Sequence, residues 1–492
     1  MSHTTQTTMP TAGAPVAGTA TGADGDRIAA LFAAQRQGVA VRRVSFDYAA
    51  RLVALERLRD ALVRREADIV AALAADFGKP ATEVLLTEIL PVRQEIAHAR
   101  RHLRRWMRPR RVRPTLGLIG TAARVRPEPK GVCLIIAPWN YPLNLALGPL
   151  VSALAAGNAV MLKPSELAPA TSTLIASLIA ETFPPGLVAV VEGDATVAER
   201  LLALPFDHIF FTGSPAVGRI VMAAAARTLA SVTLELGGKS PAIVGPGADP
   251  RKAARWIAWG KFANAGQTCI APDHVFVHRS VADRLVAALE AEIARAYGAD
   301  PSARRHSPDY ARIVSRRHAD RLHGLIESAT AAGAQVLAGG EADLLARYVA
   351  PTLIARTTLD MAVSQEEIFG PVLPVIAYDD LDQVIARIDA GPKPLALYVF
   401  DRSRSFAEAI TARTSSGAVG INLTLAHFLH VGLPFGGIGQ SGIGAAHGEH
   451  GFRAFSHEKA ILRDRFSVTP LLFPPYTPLV QRLVRLTLRL LG

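Results

Sequence analysis

Between Val132 and Leu236 the sequence switches repeatedly between short apolar runs and helix-length segments, and nothing else in it restricts the fold so strongly. Val132-Cys133-Leu134-Ile135-Ile136-Ala137 is a continuous apolar run, the mark of a strand buried on both faces. Runs at 159–163, 188–191, 208–211 and 231–236 follow, spaced by helical segments at 142–156, 170–182, 195–202 and 217–228. Strands alternating with helices predict a parallel sheet. Such sheets take ligands at the carboxyl ends of their strands. After Gly238 a second series begins, with strands at 242–244 and 275–277 and helices at 251–263, 281–297 and 311–332. A domain boundary is therefore expected near Gly237-Gly238.

The flanking segments read differently. Residues 27–105 are helical, with Leu52, Leu55, Leu58 and Leu62 at three- and four-residue spacing. Pro91 predicts a kink or boundary in the second of these helices. Residues 116–129 look like a hairpin around Gly120, and 333–345 like a loop-rich excursion. Residues 1–26 are Thr-, Ala- and Gly-rich without an apolar segment, which reads as a disordered tail and not as a secretory signal.

Composition excludes several classes. No apolar run reaches the ~18 residues of a membrane span. Two cysteines cannot build a disulfide framework, so a cytoplasmic, reducing setting is expected. The net charge of +12 suits an anionic partner. The basic run from Arg100 to Arg113 lacks aromatic interleaving or a nucleic-acid motif and reads as a solvated helix end, so no nucleic acid is expected. After Pro478, Arg482, Arg485 and Arg489 share one helical face against a broad leucine face. That tail either lies weakly on an acidic membrane surface or, as preferred, packs on its own chain or a partner.

The chemistry centres on Cys269, in Asn264-Ala265-Gly266-Gln267-Thr268-Cys269, and on Glu235, in Thr233-Leu234-Glu235-Leu236-Gly237-Gly238. A thiol and a carboxylate among small residues suggest a nucleophile and a base. Cys133, inside an apolar strand, reads as core. Asn140, between two prolines, either holds its own turn or offers an amide N–H to an oxyanion. Lys163 and Glu166 at a strand end either cap a turn or bind ribose hydroxyls. Gly213, Ser214 and Gly218 follow a strand and open a helix, where an anion is favoured. Glu367 and Phe369, before a Gly-Pro turn, could hold a ribose and brace a flat ring. The Gly437-Ile438-Gly439-Gln440-Ser441-Gly442 match has no βαβ unit around it and is rejected as a dinucleotide site. His427 and His430 lack partners at ligand spacing, so no metal is expected.

Together these segments resemble the aldehyde dehydrogenase superfamily over roughly 27–475, with the Glu235 and Cys269 motifs in the family's order. Gly266–Asp273, Leu433–Gly437, Ala445–Gly448 and Phe455–His457 are similar to the class 3 branch. Ala75–Gly78 and Arg100–Trp106 look most like coniferyl aldehyde dehydrogenases. The resemblance implies an α/β fold of two doubly wound parallel-sheet domains, a Rossmann-like cofactor domain and a catalytic domain, with a small β bridging or oligomerisation element. The division it implies is 27–111 with 133–236 for NAD(P), 237–449 for catalysis, 112–132 with 450–475 for bridging, and 476–492 as tail. It implies NAD or NADP as cofactor, a homodimer, and oxidation of an apolar or aromatic aldehyde, coniferyl-type among them, to the acid. Cys269 would form a thiohemiacetal and then a thioester, Asn140 would stabilise the oxyanion, and Glu235 would activate water. Lys163 and Glu166 would reach the adenosine ribose, Gly213 to Gly218 would line the pyrophosphate, and Glu367 and Phe369 would position the nicotinamide half. Pro215 and Leu423 depart from the family's usual Thr and Asp. A non-catalytic scaffold using the basic patch is the alternative.

Overall fold

The structure, a computed structural model, describes residues 22–115 and 118–491. The predicted alternation becomes two parallel-sheet units. The first sheet has six strands in the order Gly442–Ile443, Ser231–Leu236, His208–Gly213, Val132–Ile136, Ala159–Lys163, Val188–Val190. All its neighbours pair in parallel except Gly442–Ile443, which runs antiparallel against Glu235 and Leu234. Val132–Ile136 and Ala159–Lys163 are buried along their whole length, as their unbroken apolar sequences require. The second sheet has seven strands in the order Gln335–Ala338, Thr352–Ala355, Val372–Tyr378, His274–His278, Pro241–Val244, Ala396–Phe400, Ala418–Ile421. Only its edge strand Gln335–Ala338 is antiparallel.

In the first sheet the chain leaves Val132–Ile136 toward Ala159–Lys163 on one side and later returns to His208–Gly213 on the other. That reversal is a topological switch point, where neighbouring connections run to opposite faces and leave a crevice at the strands' carboxyl ends. Asn140, Lys163 and Gly213 follow or end these three strands.

The helical N-terminal part packs on this sheet. Leu55, Leu58, Leu62, Leu73, Phe77, Ile96 and Trp106 join Leu147, Leu154, Phe452 and Phe455 in one buried cluster. Pro91 falls in the first turn of the helix Leu90–Met107, directly after a π-helical turn over Leu85–Ile89. The helical run is continuous through it, and the preceding π-turn, in which Leu90 N bonds Leu85 O, accommodates the proline ring.

Four expectations need correction. A helix begins at Gly22, inside the segment read as a disordered tail, and runs to Gln37; residues 1–21 lie outside the described residues. The hairpin around Gly120 has its first arm at Arg110–Val112, earlier than the expected 116–129. Its second arm Thr121–Pro129 also pairs antiparallel with Ser456–Asp464, in register from Thr121 opposite Asp464 to Pro129 opposite Ser456. Thr121–Pro129 is thus a central strand with one partner close in sequence and one far off. The excursion at 333–345 contains the edge strand Gln335–Ala338 and the short strand Ala342–Asp343. The helix read from 311 starts only at Arg316, where Ser315 caps it by accepting from His318 N.

The tail Pro478–Leu491 is a helix. Val480 is buried, whereas Leu479, Leu486 and Leu488 are exposed. No described helix is long and apolar enough to cross a membrane.

Candidate active site

Cys269 stands on a loop whose backbone is bent by three successive left-handed residues, Asn264 (φ 54°), Ala265 (φ 50°) and Gly266 (φ 73°). Only the last is glycine, so the bend is strained and is held by its surroundings. The holder is Gln267, which is fully buried. Its side-chain Nε2 donates to Asn264 O at 3.0 Å and Arg312 O at 3.1 Å, and its Oε1 accepts from Val314 N at 2.8 Å. Tyr398 OH donates to Ile270 O at 2.6 Å on the far side of the thiol.

Asn140 reaches this loop from the first sheet. It is buried, and its Nδ2 donates to Gln267 O at 3.0 Å. An amide has two N–H groups, so one remains for a ligand. Asn264 Nδ2 returns a bond to Asn140 O at 2.8 Å. The adjacent Tyr141 OH shares a hydrogen bond of 2.7 Å with Thr268 Oγ1. Lys79 and Glu88 brace the same region. Their 2.7 Å ion pair is fully buried, Glu88 Oε2 accepts from Asn144 N, and Lys79 Nζ lies 4.1 Å from the centre of the Tyr141 ring. Glu83 accepts from Asn264 N at 3.0 Å. None of these supports was singled out from sequence. Tyr141 and Thr268 were within sight of it, because each sits beside a residue that was.

Glu235 lies at the end of its strand, buried, with neither carboxyl oxygen hydrogen-bonded. Burial without a partner among the described residues pushes its carboxyl well above the usual range. Cys269 and Glu235 line one cavity with Thr212, Trp259, Leu425 and Phe428. The lining is mostly apolar side chain. Burial first, then the nearby Glu367 and Glu235, push the Cys269 thiol up to about 12, while the backbone N–H groups of Cys269 and Ile270 act in the opposite sense. Cys133, fully buried in its strand, is pushed higher still by burial and is not among the residues lining the Cys269 cavity.

The remaining predicted residues gather at the strand ends. Lys163 is buried, and two of its three N–H groups are taken by Pro164 O at 3.1 Å and Glu166 Oε2 at 3.0 Å. Ser214 accepts from Val217 N and caps the helix Pro215–Thr228. Gly218 is buried where a side chain would strike Leu236, so its smallness serves helix-on-strand packing. Glu367 Oε1 accepts from Gly238 N at 3.0 Å, and a side chain on Gly237 would collide with that carboxyl. Phe369 holds a left-handed φ of 49° and meets Trp139 edge-on at 5.3 Å. Asp273, four residues past the thiol, ties the two loops. Its Oδ1 accepts from Ile368 N at 2.9 Å, and its Oδ2 pairs with Lys239, which also donates to Val363 O and Glu366 O. The Gly437–Gly442 segment leads into the antiparallel strand Gly442–Ile443 and opens no helix.

These residues fit a nicotinamide dinucleotide. A buried ammonium with a donor to spare stands beside a carboxylate, a suitable pair for ribose hydroxyls. The helix start after Gly213 offers an anion the positive end of the helix dipole, although Pro215 has no N–H and the N–H groups of Val217 and Gly218 already bond Ser214. Leu167 and Val217, both exposed, add apolar surface close to these residues in the chain.

Comparison with known proteins agrees with the geometry. The model described as the aldehyde dehydrogenase family matches residues 1–461. The chain is 43% identical over 431 residues to the 4,4'-diaponeurosporen-aldehyde dehydrogenase of Staphylococcus aureus, covering 87% of this chain and 93% of that one. It is 41% identical over 464 residues to a probable coniferyl aldehyde dehydrogenase of Pseudomonas aeruginosa, covering 93% and 96%. A solved structure of Staphylococcus aureus AldH in its substrate-bound state superposes with a TM-score of 0.89 at 40% identity, covering 94% of this chain and 99% of that one. The chain belongs to the aldehyde dehydrogenase family. Its relatives there include family 3 members and coniferyl aldehyde dehydrogenases.

Proposed function

We propose that this aldehyde dehydrogenase oxidises an apolar or aromatic aldehyde, of the coniferyl type among others, with Cys269 as nucleophile. The observation that carries the reading is one apolar cavity lined by both Cys269 and an unpartnered, buried Glu235. The Cys269 sulfur attacks the carbonyl carbon once its proton has left. The free N–H of Asn140 and the backbone N–H of Cys269 stabilise the oxyanion that forms. The hydride shed by the carbon of the Cys269 adduct would be taken by NAD or NADP when bound, which leaves a thioester on Cys269. Glu235 then draws a proton from water, which attacks the thioester carbon, and Cys269 leaves as the acid is released. Lys163 and Glu166 hold the adenosine ribose, Gly213, Ser214 and Gly218 border the pyrophosphate, and Glu367 with Phe369 orients the nicotinamide half.

The same reading divides the chain into a cofactor part (27–111 and 133–236), a catalytic part (237–449) and a bridging part (112–132 and 450–475). It includes a homodimer and a cytoplasmic home, where the two free cysteines stay reduced. The tail helix packs on its own chain, where Val480 is buried, or on a partner, or it lies on an acidic membrane surface. Arg482 and Arg485 beside exposed Leu486 and Leu488 support a weak contact of the last kind.

The test is purified protein with NAD or NADP and an aldehyde panel, followed by absorbance of the reduced cofactor. Turnover that survives in full in Cys269→Ala would overturn the nucleophile assignment.

A further inference from the structure

The wall of the Cys269 cavity is largely apolar, but one stretch of it is not. Glu95, on the helix Leu90–Met107, is 6% exposed and lines the cavity. Its Oε2 accepts from Gly448 N at 3.0 Å, while its Oε1 has no hydrogen-bond partner. Across from it His447 Nδ1, also without a partner, lies 3.6 Å from Oε1, too far for a direct hydrogen bond. Gln94 Oε1 is a third unpartnered polar atom on the same wall.

The imidazole is held firmly in this place. Its ring stacks on Phe435 at 5.3 Å and meets Phe428 edge-on at 4.7 Å. His447 takes φ 72° and ψ 135°, a backbone strained for any residue with a Cβ. Burial keeps the ring neutral and also pushes the Glu95 carboxyl up to about 7. Neither group has a part in the chemistry assigned to Cys269, Glu235 and Asn140. Buried polar atoms without partners are costly, and cavity walls keep them where a ligand completes them.

We propose that Glu95 and His447 form a subsite for a hydroxyl group carried on the substrate's tail. A hydroxyl both donates and accepts, so one such group satisfies Glu95 Oε1 and His447 Nδ1 together. The preferred substrates are then aldehydes with an apolar body and a hydroxyl remote from the carbonyl. The inference rests on Cys269 being the reacting end of this cavity.

Matched aldehyde pairs test it: benzaldehyde against para-hydroxybenzaldehyde, and straight-chain aldehydes of increasing length against their omega-hydroxy forms. In the wild type, kcat/KM at one length favours the hydroxylated member about tenfold or more, since a site built for a hydroxyl rejects the analogue lacking it. Glu95→Leu and His447→Phe bring the ratio to within about twofold of unity, with the plain aldehyde still oxidised. His447→Phe keeps the ring stack and the Glu95–Gly448 bond, so it decides the matter where Glu95→Leu fails to fold. No preference at any length, as when a bound water fills the spot, overturns the subsite. So does a preference that both variants retain. Loss of turnover with plain and hydroxylated aldehydes alike in the wild type strikes the Cys269 reading, and the subsite with it.

Discussion

The side-chain amide of Asn140 donates to the carbonyl oxygen of Gln267 at 3.0 Å, joining the first sheet to the loop two residues before Cys269. One contact thus fixes both the proposed oxyanion donor and the backbone of the proposed nucleophile. Asn140→Ala is expected to lower kcat by about 10²–10³-fold, the usual loss for one oxyanion donor. Asn140→Asp, similar in shape but without the N–H pair, should lose as much. Steady-state kinetics with a saturating aldehyde checks both.

Glu235 serves only the second half of the proposed reaction. Glu235→Gln should therefore give a burst of reduced cofactor close to one per site, followed by turnover slowed about 10²-fold or more. Rapid mixing separates the phases. A variant without a burst would assign Glu235 to the first step instead.

Burial holds the Cys269 thiol up at about 12 and pushes the Glu235 carboxyl well above its ordinary range. The thiol must lose its proton in the first half of the reaction, so kcat/KM should climb with pH into the alkaline range. Glu235→Gln should leave the burst's pH dependence in place, since that dependence belongs to the thiol. Alkylation by iodoacetamide should follow the same rise and mark Cys269 while sparing the strand-buried Cys133.

Stability should run the other way. Burial pushes Glu83, Glu95 and Glu367 each up to about 7. An unfolded Glu titrates near ~4.3. The folded state therefore holds more protons between those values, and its stability is greatest below that window and lost as pH rises through about 7. Asp273 behaves oppositely. Burial alone would raise it, but the Lys239 charge and the His274 hydrogen bond hold it below the usual range. Its contribution is present above ~3.9 and lost only in stronger acid, outside the same window. Urea midpoints at pH 5 and pH 8 test this. Glu83→Gln and Glu95→Gln should each flatten the slope.

Removing one member of the fully buried Lys79–Glu88 pair leaves an uncompensated charge under Tyr141. Glu88→Ala should cost about 3–5 kcal/mol, read as a fall in the denaturation midpoint. The double change Lys79→Met with Glu88→Leu should recover much of that loss. It should recover less activity, because Glu88 also holds Asn144 N near Asn140.

The parallel strands were legible because a strand buried on both faces has to be apolar throughout, and no competing pattern shares that signature. Cys269 and Glu235 stood out through loop residues beside a reactive side chain. The Thr121–Pro129 strand was legible only in part: its hairpin arm Arg110–Val112 is near, but its other partner lies after residue 455, and alternation says nothing of where a partner comes from. The left-handed run Asn264–Ala265 was hidden for a related reason. Neither residue prefers that conformation, and it is imposed by Gln267, Asn140 and Glu83 from three directions. Glu95 and His447, 352 positions apart by their numbers, carry no local mark of facing one cavity.

The short strand Gly442–Ile443 lies against Glu235, and Leu236 N bonds back to Ser441 O. During synthesis the proposed thiol, base and oxyanion donor are therefore all delivered before the strand that flanks Glu235 exists. A chain that stops before residue 441 carries all three of these groups and lacks the strand against which Glu235 is set.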